Sequence, residues 1–212
     1  YTHYSHNAAI YTAEGLVYGR EIWLTRSVQR LAAFPDRRAY AHDVIWAGND
    51  QDGYYTSHLV RSSGTNTGYS DLGPPTGRYS SAWVMSNCLV KENRIVAEWV
   101  VRDSMHELQQ LGFDPYKLAR QLAQHSPPPG VRKESYGEIG RQEGQLPPPS
   151  WQPAATAGFD IEDFIRETIH ELWNWRLFNR IRERFAENYL CHTVSDRQIY
   201  GRGDYQAFVM AM

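Results

Sequence analysis

The chain of 212 residues carries 22 Lys and Arg against 24 Asp and Glu, and 42% of its residues are hydrophobic. This near-neutral balance predicts a soluble globular protein of one large domain or one and a half small ones, and it offers no basic block for nucleic acid or for an anionic membrane surface. No run of about 18 apolar residues is present, so the sequence predicts no transmembrane helix.

The chain begins with a polar, aromatic stretch and a helix. Residues 1–16 contain several Tyr and His and are predicted to be a loop packed by its own rings. Apolar residues at helical spacing predict a helix over residues 18–34, which the following proline ends. Ile22, Leu31 and Phe34 are expected near its buried face.

Long strands follow this helix. The sequence predicts strands over residues 39–49, 53–64 and 78–90, where β-branched and aromatic residues are frequent. Residues 65–77, rich in Gly, Pro, Asn and Ser, predict a long loop, and long loops in compact domains are often functional. Residues 91–94 predict a tight turn, so that the next segment pairs back on the strand before it.

The segment of residues 93–115, NRIVAEWVVRDSMHELQQLGFDP, is the most informative stretch. It predicts a strand followed by a short helix that Gly112 closes. Because side chains alternate along a strand, one face of the strand is expected to be apolar until it ends in a carboxylate. The members of this face are Ile95, Ala97, Trp99, Val101 and Asp103.

Asp103 has two interpretations that do not exclude each other. Burial beside Trp99 and Val101 would raise its pKa toward neutrality and suit a general acid or base. Alternatively, Asp103 is the N-cap of the following helix, with Glu107 in the first turns of that helix.

The residues that face Asp103 depend on the length of the preceding turn. A two-residue turn brings Ala82, Val84, Ser86 and Cys88 to its side, and a shift by one residue brings Trp83, Met85 and Asn87 there instead. The sequence leaves both registers open. The candidate substrate-binding residues are Trp99, Trp83, Met85, Asn87, His58, Tyr55 and Trp23.

The C-terminal part has a different composition. A second helix is predicted over residues 115–124, and residues 126–158, with PPPG and PPPSW, are predicted to be an extended linker. Residues 159–190 predict an amphipathic helix with Asp160 as its N-cap, broken near Trp175.

A short repeat links the two ends. Residues 17–20, VYGR, match residues 199–202, IYGR, and each follows a segment with Tyr and His and precedes an aromatic-bearing helix. We therefore predict two copies of one unit, truncated at both ends of the chain. The expected domains are residues 1–125 and residues 159–212, joined by the linker of residues 126–158.

Three motifs resemble those of SnoaL-like polyketide cyclases and the related predicted ester cyclases. They are LAAFPD at residues 31–36, GTNTGYSDLGPPTGR at residues 64–78 and RIVAEWVVRDSMHELQQLGFD at residues 94–114. The resemblance covers about half of the chain. It implies the nuclear transport factor 2-like α+β fold, in which a curved antiparallel sheet forms a cone around helices, and here a tandem repeat of it.

The resemblance also implies a chemistry. In the cyclases the Asp that ends the Trp-containing strand acts as acid and base in an aldol-type ring closure, and Asp103 takes that position here. The family's His in the G-x-H-x-G motif is Asn66 in this chain, and the strand of residues 78–90 contains no His. We expect a small carbonyl or polyketide-like substrate and neither a metal nor an organic cofactor.

Other function classes are less well supported. The Gly-rich segments lack the strand–loop–helix context of a phosphate loop, and the His and Tyr of residues 1–16 form no recognisable metal-ligand set. Cys88 and Cys191 have no motif spacing, which predicts reduced thiols in a cytoplasmic protein. The alternative function is a non-catalytic small-molecule-binding or dimerisation module, with a homodimer formed through the sheet.

Overall fold

A computed structural model describes residues 3–125, 131–132, 151–154 and 157–212. The chain divides into two compact units, one formed by residues 1–134 with residues 194–196 and the other by residues 135–193 with residues 197–212. The described residues combine helices with a mostly antiparallel sheet, so the α+β class predicted from the sequence is confirmed.

The first unit contains a seven-stranded sheet. Its strands are β1 Tyr4–Thr12, β2 Gly15–Tyr18, β3 Arg38–Asn49, β4 Gly53–Thr65, β5 Tyr79–Lys91, β6 Arg94–Arg102 and β7 Val131–Arg132. They lie in the order β3-β4-β5-β6-β1-β2-β7. All neighbouring strands are antiparallel except β1 and β6, which pair in parallel. The three predicted strands over residues 39–49, 53–64 and 78–90 are thereby confirmed.

Among the described residues of the first unit there are three helices: α1 Arg20–Ala33, α2 Ser104–Leu111 and α3 Pro115–Leu122. Helix α2 ends where Gly112 adopts a left-handed conformation with φ 81°, a conformation that glycine reaches without a steric cost. The turn between β5 and β6 places Glu92 and Asn93 at φ 49° and 57°, as a tight hairpin requires. These helices and this turn agree with the sequence prediction.

Two expectations about the N-terminal region are wrong. Residues 1–16 were expected to form a loop, but β1 and β2 form a hairpin there. Its alternate residues Ala8 and Ile10 are fully buried, and β6 supplies a backbone edge that no local pattern reveals. Leu31 was expected on the buried face of α1, but it is exposed, whereas Phe34 is buried.

Helix α1 packs against one side of the sheet, which we call the inner face. Its core consists of apolar residues from four strands, with Ile22 and Trp23 of α1 packed against them; the buried strand residues are Ala8, Ile10, Val17, Val84 and Val100. Burial of such side chains contributes roughly 25 cal/mol per Å² of apolar surface. The opposite side of the same strands is called the outer face.

The second unit has helices and a small hairpin. Helix α4 Ile161–Ile169 continues into a π-helical turn at His170–Asn174, and a 3₁₀ turn at Phe178–Arg180 leads into α5 Ile181–Arg184. The side chain of Asp160 accepts a hydrogen bond from the backbone N–H of Asp163, so Asp160 is the N-cap, as predicted. The helix is interrupted at Trp175, which confirms the predicted break.

The hairpin of this unit consists of β8 Leu190–Thr193 and β9 Arg197–Tyr200, and α6 Arg202–Met210 follows it. Most of the predicted linker of residues 126–158 lies outside the described residues. No helix in the described part of the chain is long and apolar enough to cross a membrane.

The two copies of the short repeat adopt the same local structure. In each, a hairpin ends at a glycine with positive φ, Gly19 at 99° and Gly201 at 81°, and a helix begins at the next residue. The residue two positions before the glycine is buried in both copies, Val17 in one and Ile199 in the other. The larger tandem repeat stays a prediction.

Candidate functional site

The register between β5 and β6 decides which side chains share a face. A bulge between Leu89 and Val90 shifts the pairing, so that Asn87 lies opposite Trp99 and Met85 lies opposite Val101. Of the two registers left open by the sequence, the structure has the one that places Trp83, Met85 and Asn87 on the side of Asp103. The bulge acts as a one-residue insertion, so that the side chains of β5 that share a face with Asp103 are the opposite set from the one that a regular two-residue turn would give.

The outer face carries the strand residues that were expected around Asp103, but it is not a buried face. Trp99 is 39% exposed and Val101 is 68% exposed. The expectation that Asp103 ends a buried apolar face is therefore wrong, because α1 packs on the other side of the strand. The alternative interpretation is confirmed: the Asp103 side chain accepts a hydrogen bond from the backbone N–H of His106 and caps α2.

The predicted substrate-binding residues divide between the two faces. Strand pairing and alternation place five of them on the outer face. The other two lie on the inner face, where His58 is opposite Ser86 and Trp23 packs on the core. The outer group consists of Trp99, Trp83, Met85, Asn87 and Tyr55. No single pocket can therefore contain all seven residues.

Ring contacts occupy the aromatic residues of the outer face. Trp99 stacks on Tyr11 with a centroid distance of 5.4 Å and an interplanar angle of 6°. Trp83 contacts the ring of His42 edge-on at 4.8 Å, and the Arg61 guanidinium lies 4.9 Å from its ring centroid. These contacts suit an interaction surface better than an enclosed catalytic site.

The inner face contains a buried carboxylate that the sequence analysis missed. Glu98 lies opposite Cys88 and is only 7% exposed. Its Oε2 accepts a hydrogen bond from the Tyr4 hydroxyl at 2.6 Å, and its Oε1 accepts one from the Ser86 hydroxyl, also at 2.6 Å. Hydrogen bonds of this length are typical of charge-assisted O–H···O⁻ pairs.

The surroundings of Glu98 shift the pKa values of its neighbours. Burial, together with the nearby Glu98 carboxylate, raises the pKa of Tyr4 well above its ordinary value. Burial and the same carboxylate also raise the pKa of the Cys88 thiol. Both groups therefore keep their protons at neutral pH, so Tyr4 is a hydrogen-bond donor and Cys88 is a poor nucleophile.

This arrangement gives Glu98 two hydroxyl donors and leaves each of its oxygens a further lone pair. A carboxylate that is removed from bulk water and held in one orientation can accept a proton from a bound molecule and return it. His58 and Trp23 on the same face add a polar group and an aromatic ring. We therefore define Glu98, Tyr4 and Ser86 as the candidate site.

The sequence contains one signal that points to Glu98. It interrupts a run of β-branched and aromatic residues, and its strand position is opposite in parity to that of Asp103. Of the two registers, the one that places Met85 and Asn87 on the side of Asp103 places Ser86 and Cys88 on the side of Glu98. Tyr4 had no such signal, because it was expected in a loop and reaches Glu98 only through the pairing of β1 with β6.

Asn66, which stands where the resembling family has a His, has a structural role. It is buried, and its side-chain amide donates to the carbonyls of Gly68, at 3.0 Å, and Ala33. Its side-chain oxygen accepts from the backbone N–H of Thr76 at 2.9 Å. Asn66 therefore joins both ends of the loop of residues 66–78 to the end of α1.

Among the described residues, no group of three His, Cys, Asp or Glu side chains is placed to hold a metal ion.

Comparisons with known proteins give matches among solved structures. No family model matches the chain, and no curated protein matches it. Among solved structures, AclR of Streptomyces galilaeus, described as a candidate hydroxylase, is 21% identical with a TM-score of 0.46 over 52% of this chain and 79% of that chain. A candidate SnoaL-like polyketide cyclase from Jannaschia sp. CCS1 is 13% identical with a TM-score of 0.47 over 54% and 76% of the respective chains.

A third solved structure is IdmH of Streptomyces antibioticus, described as a candidate polyketide cyclase. It is 26% identical, with a TM-score of 0.43, over 51% of this chain and 81% of that chain. TM-scores below 0.5 do not transfer an activity from these proteins to this chain.

Proposed function

We propose that the chain is a cofactor-independent acid/base enzyme that acts on a small carbonyl compound, with Glu98 as the base. The observation that carries the proposal is the buried Glu98 carboxylate, which two hydroxyl groups hold on the inner face of the sheet. Buried carboxylates are costly unless they are hydrogen-bonded, and a carboxylate held in one orientation can move a proton to and from a bound molecule.

The proposed reaction is an aldol-type ring closure or a related isomerisation. Glu98 takes a proton from the carbon next to a carbonyl, and the C–H electron pair forms an enolate. The enolate carbon then attacks a second carbonyl of the same molecule, which forms a C–C bond and an alkoxide. The protonated Glu98 returns its proton to this alkoxide, so the enzyme ends in its starting state.

Asp103 remains the alternative base for this reaction, since the sequence resemblance implies it. Two observations favour Glu98. The Asp103 side chain caps α2, and its neighbours Trp99 and Val101 are exposed. A general base must also be held where it can reach the reacting proton, and Glu98 is buried and fixed by two hydroxyl donors.

The test does not require the natural substrate. A panel of aryl and cyclic ketones is incubated with the protein in D₂O, and loss of the α-proton signals is followed by NMR. General-base catalysis exchanges these protons even when no ring closes. We expect exchange with the wild-type chain, a loss of at least about 100-fold in Glu98→Gln, and less than about threefold change in Asp103→Asn.

Other results would change the assignment. If Asp103→Asn abolishes exchange and Glu98→Gln does not, the base is Asp103. If ketones bind, as seen by line broadening of their signals, but neither variant alters exchange above the buffer rate, the chain is a binding module without catalysis. Tyr55→Phe, on the exposed part of the outer face, is the matched control and should leave exchange unchanged.

The homodimer predicted from the sequence is a separate proposal. Its support is the outer face, where Ile45, Tyr55, Trp99 and Val101 leave apolar surface exposed within one unit. Such a patch is typical of interaction sites. Light scattering after size exclusion measures the mass of the wild-type chain and of Val101→Lys, and a monomer in both cases contradicts the proposal.

A further inference from the structure

Three arginines, Arg30, Arg37 and Arg102, lie near one another at the inner-face end of β6, in a set that the proposed reaction does not use. A fourth, Arg26, contacts Glu14, whose charge also acts on Arg102. Arg102 is the last residue of β6, Arg26 and Arg30 lie one turn apart on α1, and Arg37 follows α1. We call these four residues the arginine cluster. Arg102 interacts electrostatically with Arg30 and Arg37, which repel it, and with Glu107 and Glu14, which attract it.

The carboxylates nearby do not balance this charge. Arg30 forms an ion pair with Glu107, and Arg26 lies 3.8 Å from Glu14. Four guanidinium groups thus face two carboxylates, which leaves a surplus of two positive charges. In the part of the chain that the structure describes, neither Arg37 nor Arg102 forms an ion pair.

Several donors of the arginine cluster also lack acceptors. Within the described residues, Arg26 Nη1 and Arg30 Nε are buried and have no hydrogen-bond partner. The Arg37 Nε donates only a long hydrogen bond, 3.4 Å, to the Ser62 hydroxyl. Unsatisfied buried donors are uncommon in native proteins, because each costs about 1–3 kcal/mol.

The crowding of like charges is visible in the acid–base behaviour of the cluster. Burial, followed by the charges of Arg30 and Arg37, lowers the pKa of Arg102 from its ordinary value of 12.5 to about 10. Burial and Arg30 also lower the pKa of Arg37. The protein therefore keeps these guanidinium groups together against their mutual repulsion, and a bound anion would offset it.

We propose that the arginine cluster is a binding site for an oxyanion, the carboxylate or phosphate group of a small molecule. Guanidinium groups bind both kinds of group through paired N–H donors. The site lies on the same face of β6 as Glu98, about 13 Å along the strand at roughly 3.3 Å per residue. If the proposed function also holds, its substrate is a carbonyl compound that carries an acidic group.

Titration calorimetry of the whole chain tests the site with three probes: benzoate, inorganic phosphate and the neutral analogue benzamide. The measurements use Tris buffer at pH 7.5 and low ionic strength. We expect benzoate or phosphate to bind the wild-type chain and benzamide not to bind. Binding of benzoate alone identifies a carboxylate ligand, and binding of phosphate alone identifies a phosphate ester.

The key variant is Arg102→Met, which keeps an unbranched apolar stem and removes the guanidinium group and its charge. We expect it to weaken anion binding at least tenfold. The matched control is Arg94→Met, at the exposed first residue of the same strand, which should bind like the wild-type chain. If Arg102→Met does not fold, Arg37→Met provides the same comparison.

A second measurement separates a binding site from a purely structural cluster. Without anion, Arg102→Met should have a higher Tm than the wild-type chain, because it removes repulsion; an arginine that only stabilises the fold would give a lower Tm. The proposal is overturned if the wild-type chain binds neither probe more tightly than Arg102→Met does. Glu98→Gln should retain anion binding, so this result is independent of the ketone exchange assay.

Discussion

Removal of the Tyr4 hydroxyl tests the candidate site directly. Tyr4→Phe keeps the ring, which packs against the core of the inner face, and deletes the donor 2.6 Å from Glu98 Oε2. A hydrogen bond to a charged group contributes about 1.5–3 kcal/mol. Because Ser86 remains as the second donor, we expect a loss of about 2 kcal/mol in the free energy of unfolding at pH 7.

The same variant has a pH dependence whose sign follows from the raised pKa of Tyr4. An unfolded tyrosine loses its proton near pH 10, whereas the folded Tyr4 keeps it to higher pH. The contribution of Tyr4 to stability is therefore complete well below pH 10, and at higher pH it falls with a slope that approaches about 1.4 kcal/mol per pH unit. Phenylalanine has no such contribution, so the difference between the two proteins should narrow by roughly 1 kcal/mol from pH 10 to pH 11.

Urea unfolding followed by far-ultraviolet circular dichroism measures this difference at pH 7, 10 and 11. Other tyrosines titrate in both proteins and cancel in the comparison. Tyr55→Phe, at a largely exposed position, is the control and should match the wild-type chain at each pH. Equal stability of Tyr4→Phe and wild type at pH 7, or a difference that stays constant to pH 11, would refute the assignment of Tyr4 as the donor to a buried carboxylate.

Three further predictions concern other positions. Asn66→Ala should lower the free energy of unfolding by about 3 kcal/mol and speed proteolysis of the loop of residues 66–78, because it leaves partly buried backbone groups of Gly68 and Thr76 without partners. Unchanged digestion would contradict this role. Gly68→Ala would place a Cβ 2.1 Å from the Ala32 carbonyl oxygen and should lower Tm by several degrees, whereas Gly203→Ala, which meets nothing within 4 Å, should keep or raise Tm. Cys88, buried and with a raised pKa, should resist iodoacetamide at pH 8 until urea is added, as intact-mass spectrometry would show; rapid labelling of the native chain would disprove its burial.

Local patterns determined most of the elements. Hydrophobic spacing and the proline after α1 predicted that helix, and the composition of residues 53–64 and 78–90 predicted two of the long strands. Gly112 and Asp103 marked the two ends of α2 correctly. These signals act between residues that are close in the chain, so they can be recognised without knowledge of the fold.

The tertiary structure alone decided which face of β6 is the inside. The alternation of side chains shows that Glu98 and Asp103 point to opposite sides, but not on which side α1 packs. That outcome depends on two long-range features, the parallel pairing of β1 with β6 and the bulge between β5 and β6. The sequence pattern and the resemblance to the cyclases led to Asp103 as the base. A shift of one residue decides which side chains of β5 share a face with β6, and only the packed sheet brought Tyr4 and Ser86 to Glu98.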